Sequence, residues 1–209
     1  MSGRPEGIAR IVETVERYNT THIATLETYV WQQVSGENEL DCEANLALLK
    51  LHAARGGLIG SGGGGGGDAD AVPASVVAVF VVALAALPAA ALNAARCLLP
   101  PHAAALADRH VAAILRLQRL LETCDFSAFW SLLATVNIPS NDNADHAPVP
   151  LITVFPQFQK RIRLFIANTL KVSYQQIDAA LFLKYLNFTD LNDPDAKYFI
   201  SLLGCSINL

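Results

Sequence analysis

Between Ala71 and Ala95 the chain reads "AVPASVVAVFVVALAALPAAALNAA", without one charged residue. A segment like this has two physical outlets. It can cross a bilayer, whose core takes a helix of about 20 apolar residues, or it can lie at the centre of a protein, where a helix that is hydrophobic all round is covered on every side. Pro73 and Pro88 divide the run, and alanine, which fills almost half of it, drives insertion far less than Leu, Ile, Phe or Val. The pattern therefore predicts two short helices, Ala74 to Leu87 and Pro88 to Leu99, with alanine allowing close backbone approach in a helical array. A membrane-anchored adaptor is the alternative from another class, and no membrane partner is expected.

The rest of the composition agrees with a packed subunit. Of 209 residues, 52% are apolar and only 16% charged, so few charges are available to cover a free surface. A net charge of -4 gives no broad basic field, and DNA is not an expected partner. The four cysteines form no C-x-x-C pair, which fits reduced thiols in an intracellular protein. Glu6, Glu13 and Glu16 come before any apolar run long enough for a signal peptide. A cytoplasmic location follows as an expectation, with the N-x-T triplets at Asn19 and Asn187 unglycosylated. "RGGLIGSGGGGGGDAD" predicts a flexible loop over 55–70. Gly60, Gly62 and Gly65 satisfy G-x-G-x-x-G, but a helix precedes them and no lysine lies between Arg55 and Arg96, so no nucleotide is expected. His22, His52, His102, His110 and His146 lack metal-ligand spacing. No cofactor or metal is expected.

Helical periodicity covers most of the chain. Ile8, Ile11, Val12 and Val15 mark a helix over 7–17, and Thr20 or Thr21 is placed to cap a second with Ile23, Leu26, Val30 and Gln33 on its stripe. Asp41 caps a third, whose stripe is Cys42, Leu46, Leu49 and Ala53. A long helix starting near Pro101 carries Ile114, Leu117, Leu121 and Cys124 on one face. Asp125 then caps a helix with Phe126, Phe129, Trp130, Leu133 and Val136 together, so the pair predicts a helix hairpin. Cys124 reads as core, not as a nucleophile: Glu122 and Asp125 beside it would oppose a thiolate.

"NIPSNDNADHAPVP" is the expected boundary. Beyond it come helices over Pro156 to Lys171, Ser173 to Leu186 and Pro194 to Leu203, the last with Asp193 as cap and Gly204 past its end. An alternating "CSINL" then reads as a strand. The predicted organisation is a helical domain over 1–137, a linker over 138–150 and a winged helix over 151–209 that lacks most of its wing.

Four blocks, "RYNTTHIATLETYV", "LDCEANLALLKLH", "LLETCDFSAFW" and "RIRLFIANTLKVSYQQIDAALFL", in that order resemble the k-subunit family of eukaryotic translation initiation factor three. The resemblance implies an all-α, PCI-type fold: a HEAT-like stack of helices joined to a winged helix, as in scaffold subunits of the initiation factor, the proteasome lid and the signalosome. It implies a non-enzymatic role, pairing with subunit l, and engagement of the small ribosomal subunit through the complex. A homologous scaffold of the lid or the signalosome is the alternative.

No catalytic residue is predicted. Lys160, Arg161 and Arg163, with Lys171 further along, form the one basic run on an acidic chain, the footprint expected of a contact with RNA or an acidic subunit. Ile207 and Leu209 are candidates for an interaction by strand pairing at an open edge.

Overall fold

The computed structural model describes residues 3–55, 72–99, 108–139, 148–203 and 206–208. Helices dominate, as the all-α class requires, and the chain divides into two compact units. Unit 1 comprises Met1–Leu115 and Val136–Pro156; unit 2 comprises Arg116–Thr135 and Gln157–Leu209. Residues 116–135, read as the end of the helical domain before the 138–150 segment, group with the C-terminal residues in unit 2. The expected loop at 55–70 lies outside the described residues, except for Arg55.

In unit 1, α1 (Glu6–Glu13) buries Ile8, Ile11 and Val12. It stops well short of residue 17, where Thr14 turns extended and its side chain accepts from Glu16 N–H, opening a 3-10 turn over Val15–Tyr18. Asn19, rather than either threonine, supplies the next cap by accepting from Thr21 N–H. After α2 (Ile23–Ser35), Gly36 adopts φ 89°, a left-handed turn that costs a residue without Cβ little. Asp41 caps α3 (Cys42–Arg55) by accepting from Ala44 N–H at 3.1 Å, as expected.

The uncharged run forms α4 (Ala74–Ala85) and α5 (Ala91–Leu98). Every residue of α4 from Ser75 to Ala85 is buried, against α2, α3, α5 and the strand β1 (Asn137–Pro139). At 12 residues α4 spans about 18 Å, against about 30 Å of hydrocarbon. Among the described residues, no helix is long and apolar enough to cross a membrane. Helix α6 (Arg109–Glu122) begins in unit 1 and ends in unit 2. The segment read as a linker starts and ends in strand: β1 pairs antiparallel with β2 (Pro148–Pro150), which leads into the one-turn α8 (Leu151–Val154).

In unit 2, α7 (Phe126–Leu133) follows the end of α6, and Asp125 caps it by accepting from Ala128 N–H. Then come α9 (Phe158–Ser173), β3 (Gln176–Asp178), α10 (Ala179–Leu186), α11 (Pro194–Leu203) and β4 (Ser206–Asn208). The expected three helices are present. The strand after Gly204 pairs in parallel with β3, which replaces the first residues of the expected 173–186 helix.

The α6–α7 turn corrects one core assignment. Helix α6 ends at Glu122, so Cys124 does not continue the stripe of Ile114, Leu117 and Leu121, all of which are buried. Cys124 sits at φ 58° and is exposed. Its N–H donates to Leu121 O at 3.1 Å, and Asp125 N–H donates to Leu120 O at 2.9 Å. These two bonds are a Schellman closure, with a cysteine in the left-handed position that glycine ordinarily takes. Cys42 and Leu46 are likewise only half-buried; Leu49 on the same stripe is buried, beside Leu48, Leu51 and Ala44.

Candidate interaction surfaces

Unit 2 puts the basic run to different uses. Arg163 points inward from α9: its Nε donates to Leu186 O at 2.9 Å and its Nη2 to Asn187 O at 3.1 Å. Those carbonyls close α10, where Asn187 is left-handed at φ 54°. A cation there meets the negative end of the helix dipole and fills acceptors the helix leaves open. The guanidinium also lies over two rings, 4.3 Å from the Phe188 centroid and 5.7 Å from that of Trp130. Burial lowers its pKa from the ordinary arginine value, with Asp195 and Asp193 opposing the shift.

Lys171 acts similarly at the end of α11, donating from Nζ to Leu202 O at 3.3 Å while remaining exposed. Lys160 is exposed. Arg161 is half-buried, and its Nε is buried without a hydrogen-bond partner among the described residues. The basic run is therefore not one surface patch: Arg163 is a clamp inside unit 2, and Lys171 is a helix-end cap. Of the other two candidates, Ile207 lies in β4 opposite Ile177, and Leu209 is outside the described residues.

The aromatic face of α7 belongs to the same clamp. Phe129 is fully buried and Trp130 is 8% exposed. Trp130 Nε1 donates to Tyr185 O at 2.8 Å, so the ring is held at its polar end as well as by packing. Phe126 meets Tyr185 edge to face at 5.4 Å.

Unit 1 gathers its polar groups differently. Arg4 joins the start of the chain to the start of α3, donating to Asp41 at 2.8 Å and to Glu43 at 3.0 Å. Two buried amides, Gln33 and Asn45, exchange hydrogen bonds of 3.0 and 2.9 Å, and Gln33 also accepts from Asp41 N–H at 2.8 Å. A third group joins α2, α3 and α4. Ser75 Oγ donates to Glu27 Oε1 at 2.7 Å, and His52 Nε2 lies 3.1 Å from the same oxygen. Burial lowers the His52 pKa and favours the neutral ring, although Glu27 opposes this.

Serine, histidine and carboxylate together invite comparison with a hydrolase triad, which needs histidine between the other two. Here serine and histidine converge on one carboxylate oxygen. The serine hydroxyl is turned toward the acid, and Ser75 is buried within α4. The arrangement ties three helices together. No sequence motif announces it, since Glu27, His52 and Ser75 are 25 and 23 residues apart; the only signal is that each lies on a stripe that is otherwise apolar. Among the described residues, no three histidine, cysteine or acidic side chains are placed to share a metal ion.

Comparison with known proteins adds to this geometry. Residues 74–202 match the model of the CSN8/PSMD8/EIF3K family. The chain is 32% identical over 199 residues to the human protein named eukaryotic translation initiation factor 3 subunit K, covering 95% of this chain and 78% of that one. It is 32% identical over 197 residues to the Xenopus laevis protein of that name, covering 94% and 77%. With the Danio rerio protein it shares 29% over 201 residues, covering 96% and 78%.

Proposed function

The chain belongs to the CSN8/PSMD8/EIF3K family, and we propose that it serves there as a k-type subunit of translation initiation factor 3, a scaffold rather than a catalyst. The observation that carries this reading is the likeness to proteins of that name over 94% to 95% of the chain. A scaffold role has physical support in both units. Their polar clusters are spent on joining helices, as at Ser75, His52 and Glu27, and their cations on closing helix ends, as at Arg163 and Lys171. The uncharged segment is used as a core helix and not as an anchor.

In this reading the partners are other subunits of the factor, with subunit l as the neighbour and the small ribosomal subunit engaged through the complex in the cytoplasm. The unit 1 helices act as the HEAT-like stack and the α9–β4 segment as the winged helix. Lys160 and Arg161, whose side chains close no helix among the described residues, are the basic positions offered for contact. A lid or signalosome subunit is the second reading, because the matching family takes in those members as well. Affinity purification of the tagged chain, with identification of the co-eluting subunits, decides between them. Initiation factor subunits and small ribosomal subunits are the expected company; lid or signalosome subunits in their place would overturn the first reading.

A further inference from the structure

The outer side of α9 collects lysines and aliphatic side chains and no acid. None of its 16 residues is Asp or Glu. At 100° per residue Lys160, Lys171, Leu164 and Asn168 fall within about 80° of arc, with Val172 at its rim, and all five are exposed. The aliphatic exposure is large: 41% at Leu164 and 89% at Val172. A solvent-facing helix surface normally mixes charges of both signs. Here neither lysine has a carboxylate within ion-pair distance among the described residues. Lys171 reaches only the Leu202 carbonyl, which leaves its charge unneutralised. Unit 2 shares the bias, with eight Lys and Arg against six Asp and Glu, a balance of +2 in a chain of net charge -4.

These side chains narrow what can cover them. Two unpaired lysines on a unit of charge +2 make a small field for a phosphate backbone, whose binding grows with the number of cations engaged. Exposed Leu164 and Val172 gain nothing from phosphate, whereas an apolar side chain laid on them removes their area from water. Lys160 and Lys171 stand about 16 Å apart along the helix with Leu164 between them. Apolar area flanked by charge is the anatomy of a protein interface. Since the backbone of α9 is bonded within the helix, a partner engages it through side chains. Complementarity then asks for carboxylates opposite the lysines and apolar groups over Leu164 and Val172.

We propose that this side of α9 docks an acidic segment of a protein partner, one that carries apolar residues among its carboxylates. Taking that partner from the initiation factor rests on the reading above. The test uses the full chain with a photo-crosslinking benzoylphenylalanine at Asn168, mixed with purified initiation factor 3 lacking this subunit and with small ribosomal subunits. The expected result is a crosslink to a protein segment bearing acidic and apolar residues. Lys160→Glu should weaken association about tenfold, with recovery when the crosslinked acidic residue is changed to lysine. Val172→Ser should weaken it about fivefold. Both positions are exposed, and unchanged thermal midpoints exclude misfolding as the cause. Loss through Lys160→Glu with Val172→Ser as tight as the parent, and a crosslink to RNA, is the result a phosphate backbone gives and overturns the proposal. Entry into the factor with no crosslink from position 168, or with association indifferent to Lys160→Glu, overturns it too and leaves the scaffold reading intact. Failure to enter the factor overturns both.

Discussion

Both units are assemblies of short helices, yet they are closed by different means. Unit 1 surrounds one helix, α4, that has no solvent face, and joins its neighbours through neutral or acid-centred polar groups: the Gln33–Asn45 amide pair and the Glu27, His52 and Ser75 cluster. Unit 2 has no such central helix among its described residues. It aims cations from α9 at the carbonyl ends of the helices that follow, Arg163 at α10 and Lys171 at α11. The lesson is that a short helix can be held by covering its sides or by fastening its end. The first method needs apolar area, and the second needs a long cationic side chain at the right register.

The sharpest way to break this comparison is to remove area from unit 1. Phe80 is fully buried at the middle of α4, and Phe80→Ala should cost about 3 to 5 kcal/mol. Urea unfolding followed by circular dichroism checks it, and a loss under about 1 kcal/mol would contradict the central role of α4. Next comes the clamp of unit 2. Arg163→Ala leaves two helix-end carbonyls open and removes the cation from between Trp130 and Phe188, an expected loss of about 2 to 4 kcal/mol. Tryptophan fluorescence should report it, since Trp130 loses a neighbour. If Arg163→Met were as stable as the parent, the side chain would be acting by packing alone.

A smaller effect separates the units by pH. In unit 1, His52 has a folded pKa below its ordinary 6.5. The unfolded chain therefore binds the proton first as pH falls. Stability is full above about pH 6.5, declines as pH drops from there to the lowered folded value, and then levels off. Urea midpoints between pH 8 and pH 5 should fall less in His52→Gln than in the parent; equal slopes would sink this assignment. The smallest change is a gain. Cys124 occupies a left-handed position that disfavours side chains, so Cys124→Gly should stabilise the chain by about 0.5 to 1 kcal/mol. Thermal melts suffice to see it, and a destabilised glycine variant would mean that the thiol makes a contact worth more than the turn.

Much of this was legible in the sequence because it is local. Asp41 and Asp125 cap the helices they precede, and the stripe of Leu117 and Leu121, with Phe129 and Trp130 on the facing helix, is buried. Periodicity fails where a helix stops: it extends a face to Cys124, although the helix ends at Glu122 and the backbone reverses at Cys124 itself, and nothing in a Thr-Cys-Asp run marks a Schellman turn as Gly would. It fails equally for tertiary aims. Lys160, Arg161, Arg163 and Lys171 are one run on paper, but at 100° per residue Arg161 and Arg163 leave α9 away from the side that Lys160 and Lys171 share, and which carbonyl Arg163 and Lys171 meet depends on helices placed about 20 to 30 residues later. The polar ties of unit 1 join three helices, and the short β1–β2 pair lies in a stretch rich in Asn and Pro. Neither has a sequence period to reveal it.

The buried helix α4 also has a consequence for the order of events in synthesis. Ahead of its folding, this segment presents the cell with the features of a targeting or aggregation signal: a run without charge, rich in valine and alanine. Helices α2 and α3, which cover two of its sides, lie upstream and leave the ribosome first. Half of the shelter is therefore translated ahead of what it shelters, while α5 and β1, which cover the rest, follow it.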